Sequence, residues 1–129
     1  VAKILVVEDD DALRVTLERM IRSAGHDAQS ASGRRQVIDA IAASEYDVVL
    51  TDILMPDFDG LEVIRMVRTT KPGCPIIAVS GGGDHLPAPA GLQLASAFGA
   101  DAVLNKPFTL SELIDVIARV VQTSRPPPS

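Results

Sequence analysis

Apolar residues fall along this chain in two rhythms. Ile4-Leu5-Val6-Val7, Val48-Val49-Leu50, Pro75-Ile76-Ile77-Ala78-Val79 and Ala102-Val103-Leu104 are unbroken runs too short for helices. Such runs suit strands covered on both faces, as in parallel sheets. Asp27 to Ala31 is a weaker fifth strand candidate. Between the runs, apolar residues return every three or four positions, the period of a helix with one buried side. Leu13, Leu17, Met20, Ile21 and Ala24 predict a first helix, capped by Asp10 or Asp11 and ended by Gly25. Ser32 is the predicted cap of a second helix through about Ala43, with Val37, Ile38, Ile41 and Ala42 inward. Asp59 caps a third, in which Leu61, Ile64 and Val67 share a face until Lys71-Pro72-Gly73 stops it. A short fourth helix from about Ala90 to Phe98 closes at Gly99. Thr109-Leu110-Ser111-Glu112 is a capping box that opens the fifth, with Leu110, Leu113, Ile114, Ile117, Val120 and Val121 as its stripe.

Strands that alternate with helices need right-handed crossovers, so the expected fold is α/β, a doubly wound five-stranded parallel sheet with five helices. At 129 residues the chain is one domain. Residues 1–122 carry it, and 123–129, ending Arg125-Pro126-Pro127-Pro128-Ser129, read as a stiff tail or the start of a linker. A hydrophobic fraction of 47% against 22% charged residues excludes wholesale disorder. The net charge of −5 argues against a nucleic-acid binder. No apolar run approaches the roughly 20 residues that span a bilayer, and no signal segment is present, so the cytoplasm is the expected compartment. Cys74, the single cysteine, can form neither an internal disulfide nor a zinc site and reads as an inert, partly buried thiol.

Polar residues collect where the strands end. Glu8 and Asp9 end the first strand, Asp52 the third, Ser80 the fourth and Lys106 the fifth. On its own stretch Asp52 reads equally as a turn cap or as a functional carboxylate. In a parallel sheet, however, all these carboxyl ends lie on one edge, where open α/β sheets bind ligands. Glu8, Asp9 and Asp52 would then share a pocket with one cation, Lys106, and three carboxylates cannot all stay ionised at close range. A hard divalent ion with oxygen ligands relieves them, and Mg²⁺ suits a site with few protein ligands. Each element alone is bland: acids after a strand favour a helix N-terminus, and Lys-Pro or Ser-Gly-Gly are common turns. Their order, each at a strand end, is what carries weight.

Together these residues resemble the receiver domain of bacterial two-component response regulators, over essentially the whole chain. The matching segments are Lys3-Ile4-Leu5-Val6-Val7-Glu8-Asp9-Asp10, Leu50-Thr51-Asp52-Ile53-Leu54-Met55-Pro56-Asp57-Phe58-Asp59-Gly60, Ser80, and Lys106-Pro107-Phe108. The resemblance implies a flavodoxin-like strand order 2-1-3-4-5. It implies that Asp52 accepts a phosphoryl group from a histidine kinase or phosphotransfer protein. Asp9 would ligate Mg²⁺ directly, Glu8 largely through water, Asp52 as acceptor and Leu54 through its backbone carbonyl, while Ser80 and Lys106 hold the phosphoryl oxygens. The domain would be a phosphoacceptor switch rather than an enzyme, with slow self-dephosphorylation. It would signal through protein contacts on the face made by the fourth helix, fifth strand and fifth helix, binding neither nucleic acid nor membrane. The resemblance admits a phosphorylation-dependent homodimer, and equally a receiver cut from a longer regulator with a separate output domain.

Several positions depart from the family. Glu8 replaces the commoner Asp, Gly81 follows Ser80 where Ala is usual, and Val103 stands where many members carry a switching aromatic. Propagation is therefore expected through the loop after Ser80 and the short helix beyond it. Leu54 and Gly82 lack polar side chains to hold an attacking water, which predicts a long-lived aspartyl phosphate. Three rivals fit less well. A phosphatase resembling the haloacid dehalogenases needs a second acid where Leu54 stands. A flavin or nucleotide binder would place phosphate against four consecutive acids. An unphosphorylated interaction module leaves the acid set, Ser80 and Lys106 without a purpose. His85 reads as a solvated loop residue, and His26 as a cation near a helix C-terminus.

Overall fold

Among the described residues each apolar run becomes a strand and each periodic stretch a helix. The computed structural model describes residues 2–53, 60–81 and 99–122. In order they form β1 (Lys3–Val7), α1 (Asp11–Ser23), β2 (Asp27–Ala31), α2 (Arg34–Ala43), β3 (Val48–Asp52), α3 (Gly60–Thr70), β4 (Ile76–Gly81), β5 (Ala102–Lys106) and α4 (Leu110–Gln122). The strands make one parallel sheet in the order β2-β1-β3-β4-β5. The expected short helix at 90–98, the Asp59 cap, His85, Leu54 and the tail at 123–129 lie outside the described residues.

Side-chain alternation along the strands builds two cores. Ile4, Val6, Val48, Leu50, Ile77, Val79 and Leu104 face α1 and α4, meeting Leu17, Ile21, Leu113 and Ile117. Leu5, Val7, Val49, Ile76 and Ala78 face the other way, onto Val37 and Ile41 of α2 and Val63, Ile64 and Val67 of α3. β3 is central and buried at every position, which is why its run shows no polar alternation.

Three local expectations are corrected. Ser32 does not cap α2: Gly33 takes that position, and the Ser32 amide and hydroxyl instead donate to Gln36 Oε1. Ile38 and Ala42 are exposed, because Val37 and Ile41 lie one turn apart and the residue after each is rotated off that line by about 100°. On α4, Leu110 and Val121 are exposed and Val116 is buried with Leu113, Ile117 and Val120. The capping box holds: Glu112 N–H donates to Thr109 Oγ1 at 3.1 Å, and Thr109 N–H donates to Glu112 Oε1 at 3.1 Å. Asp10 caps α1 by accepting from Leu13 N–H at 3.1 Å. Among the described residues no helix is long and apolar enough to cross a membrane.

Candidate functional site

Strand register sets the height of each polar residue on the sheet edge. Val7 of β1 pairs with Thr51 of β3, so Glu8 comes level with Asp52. Asp52 pairs with Val79, one residue before Ser80, and Lys106 pairs with Gly81. Glu8, Asp52 and Ser80 are all buried, at 2%, 5% and 4% exposure. A buried carboxylate needs a partner, and Lys106 supplies one from β5, with Nζ 2.9 Å from Asp52 Oδ2 and 3.5 Å from Glu8 Oε1. The Lys106–Pro107 peptide is cis.

The two acids do not both ionise. Burial, with a hydrogen bond to Asp52, raises the Glu8 carboxyl to about 8, so Glu8 carries the proton of the pair. Burial alone would lower the Lys106 ammonium, but the hydrogen bond and charge of Asp52, with Glu8 behind, outweigh it and raise it above its ordinary value. Glu8 and Asp52 of the three expected carboxylates pair directly, beside Lys106. Asp9 follows Glu8 on the way out of the strand and is half-buried. Its side chain makes no hydrogen bond or ion pair with a described residue, and among the described residues no three His, Cys, Asp or Glu side chains stand close enough to hold a metal ion.

The acidic loop is nonetheless ordered by its own contacts. Asp10 N–H donates to Glu8 Oε2 at 3.1 Å. Arg14 of α1 donates from Nη1 to the Glu8 carbonyl at 3.1 Å and from Nη2 to Asp11 Oδ1 at 2.6 Å. Sequence reasoning missed this; an arginine three residues after the last of four acids was the available signal. Gly60 explains the end of the Asp52 motif. Its N–H donates to the Ile53 carbonyl at 2.9 Å, and a Cβ there would stand 1.8 Å from the Asp52 carbonyl oxygen. Only glycine lets α3 start against the backbone at the end of β3.

Other candidates fall away from this edge. His26 follows the C-terminal end of α1, where its N–H donates to the Ile21 carbonyl and its Nδ1 accepts from Ala2 N–H at 3.0 Å. Cys74 is half-buried, and burial pushes its thiol up to about 11, in keeping with an inert cysteine.

By donor type the residues fit a hard cation: Glu8 and Asp52 bring carboxylate oxygens together at the sheet edge, and the carboxylate of Asp9 follows directly on Glu8.

The model of the response regulator receiver domain matches residues 4–118. This chain belongs to that family. It is 36% identical over 124 residues to the response regulator MprA of Mycolicibacterium vanbaalenii, covering 96% of this chain and 52% of that protein. It is 30% identical over 127 residues to the sensory/regulatory protein RpfC of Xanthomonas campestris pv. campestris, covering 95% of this chain and 17% of that protein. The chain thus spans about half the length of the MprA relative and a smaller share of RpfC. Among solved structures it is similar to a receiver domain protein from Clostridium thermocellum, with a TM-score of 0.85 and 26% identity over 95% of this chain and 96% of that one. It is also similar to the chemotaxis protein CheY4 of Vibrio cholerae, with a TM-score of 0.82 and 27% identity over 92% and 98% of the two chains. The domain is a signalling switch of the two-component kind, activated by phosphorylation. Receiver domains of this family use Mg²⁺ at the phosphorylation site and exchange signals with histidine kinases and downstream targets.

Proposed function

We propose that Asp52 is the phosphoryl acceptor of this receiver domain, charged from the phosphohistidine of a sensor kinase or phosphotransfer protein in the cytoplasm. The observation that carries this is the buried Asp52 carboxylate, 2.9 Å from Lys106 Nζ, at the carboxyl edge of a central strand. Its oxygen attacks phosphorus, the phosphorus–nitrogen bond of the donor breaks, and the electron pair leaves with the donor imidazole. Lys106 is already within reach of the oxygens on which charge spreads, and needs no reorganisation as it does. Ser80, buried at the end of β4, offers its hydroxyl to the new group, whose charge of roughly −1.5 to −2 is what must be read out. Glu8, Asp9, Asp52 and the Leu54 carbonyl would hold Mg²⁺, which would supply positive charge to offset that of the transferring group. Output runs through protein contacts on the face of β5 and α4, where Leu110 and Val121 are exposed, with a phosphorylation-dependent homodimer as one form of it.

Incubation with Mg²⁺ and a small acyl phosphate, followed by intact-mass measurement, should add one phosphoryl group. Asp52→Asn should add none, whereas Asp57→Asn and Asp59→Asn should still label. Labelling that persists in Asp52→Asn assigns the acceptor elsewhere.

A further inference from the structure

Arg14 stands where a cation is unwelcome. It lies in the first turn of α1, at the positive end of the helix dipole, which favours Asp and Glu and disfavours Lys and Arg. Its side chain is nevertheless only 18% exposed, whereas its partner Asp11 is 86% exposed. An Asp–Arg pair three residues apart on a helix surface is worth only about 0.2–0.5 kcal/mol, so that arm does not account for the burial. The other arm does something a surface pair cannot. Nη1 donates to the backbone carbonyl of Glu8 at 3.1 Å, the last peptide before the chain turns through Asp9 and Asp10.

The loop it holds carries four consecutive acids, Glu8, Asp9, Asp10 and Asp11, whose mutual repulsion would open the turn. Two of them are tied down by the loop's own backbone: Glu8 Oε2 accepts from Asp10 N–H at 3.1 Å, and Asp10 Oδ1 accepts from Leu13 N–H at 3.1 Å. Asp9 has no such tie among the described residues, so where its carboxylate stands depends on the peptides on either side. Arg14 fixes both flanks with one rigid fork, Glu8 on one side and Asp11 on the other. We propose that Arg14 is a positioning residue for the cation site, its guanidinium bridging the Glu8 carbonyl and the Asp11 carboxylate so that Asp9 is presented at the mouth of the Glu8–Asp52 pocket. This rests on the reading of Glu8, Asp9 and Asp52 as the Mg²⁺ site.

Charge and position predict opposite signs, which makes the idea testable. Removing a cation near a cation site would, by Coulomb's law alone, tighten Mg²⁺ binding. Removing a clamp that orients a ligand weakens it, typically ten- to a hundredfold for groups one shell out. Mg²⁺ affinity is measured by calorimetric titration of the whole chain, well below the melting temperature, with circular dichroism confirming the metal-free fold of each variant. Arg14→Met should weaken Mg²⁺ binding about tenfold. Arg14→Lys, which keeps the charge but reaches only one acceptor, should fall between it and the parent. Asp11→Asn, which removes one arm's charge and leaves the Glu8 arm, should lose less than Arg14→Met. A second readout is the Mg²⁺ concentration giving half-maximal phosphorylation, which should rise in Arg14→Met while the rate at saturating Mg²⁺ stays near that of the parent. Unchanged or tighter binding in a folded Arg14→Met overturns the proposal. A parent that labels on Asp52 but binds no Mg²⁺ overturns the cation-site reading instead, and the proposal with it.

Discussion

Glu8 is the residue whose environment departs furthest from water. Its carboxyl is ordinarily half-protonated near 4.5 and here near 8, from burial first and the Asp52 hydrogen bond second. Between those values the unfolded chain gives up a proton that the folded chain keeps, so unfolding is favoured as pH rises. The stability this group contributes is complete below pH 4.5 and is lost as pH climbs through about 8. Lys106, raised above 10.5, adds a loss only at still higher pH. In chelator, the urea midpoint should therefore fall steadily from pH 5 to pH 8.5, and Glu8→Gln should flatten the fall. An equal slope in the variant would place the titrating group elsewhere. Gly60 is the second residue whose identity is dictated by a neighbour. With a Cβ forced to 1.8 Å from the Asp52 carbonyl oxygen, Gly60→Ala must displace α3 or the end of β3. Overpacking of this kind costs on the order of 3 kcal/mol. Denaturation should show that loss, and the phosphorylation rate should drop even where the fold survives.

At the level of elements, one arginine joins three of them. Arg68 of α3 donates from Nε and Nη2 to the Gly99 carbonyl at 2.9 and 2.7 Å, from Nη1 to the Cys74 carbonyl at 2.6 Å, and pairs with Asp101. Asp101 Oδ2 also accepts from Ile76 N–H at 2.8 Å, so the same carboxylate ties the start of β4 to the approach to β5. Gly99, at φ +103, makes the turn that brings its carbonyl to the guanidinium. Hydrogen bonds to a charged group are worth roughly 1.5–3 kcal/mol, and a loss in that range is expected for Arg68→Met by urea denaturation. Arg68→Lys should recover less than half of it, because a point ammonium cannot serve both carbonyls and the carboxylate at once. Full recovery would mean that charge, rather than the fork, holds the turn.

Across the whole molecule, the sheet holds an acidic edge in check with a proton and a lysine. A cation that binds only the folded state raises stability by mass action, about 1.4 kcal/mol at ten times its dissociation constant. In a domain of this size that corresponds to about 5 °C in melting temperature. The melt should rise by this order between chelator and excess Mg²⁺ at pH 8. At pH 5.5 the rise should be smaller, because the proton on Glu8 then competes with the ion. Asp9→Ala should remove the shift more completely than Glu8→Gln. A melt that ignores Mg²⁺ at both pH values rules out this pocket as its site.

The sequence by itself determined the described elements and the edge of the sheet on which chemistry would gather. Apolar runs and helical periods are local properties, written in neighbouring residues, and they placed β1, α1, β2 and the capping box of α4 at the residues where these stand. That Glu8, Asp52, Ser80 and Lys106 would share an edge followed from parallel strands alone. The inward faces of α2 and α4 were read less well. Ile38, Ala42, Leu110 and Val121 are as apolar as their buried neighbours, and only the rotation of each helix against the sheet decides which of them meets the core. Tertiary structure alone decided the charge state of the site. Glu8 is buried beside Asp52, Lys106 reaches both carboxylates, and Arg14 reaches back over the loop. Those outcomes depend on distances between residues up to 98 positions apart, Glu8 and Lys106, and a sequence fixes such distances only once the sheet has closed around them.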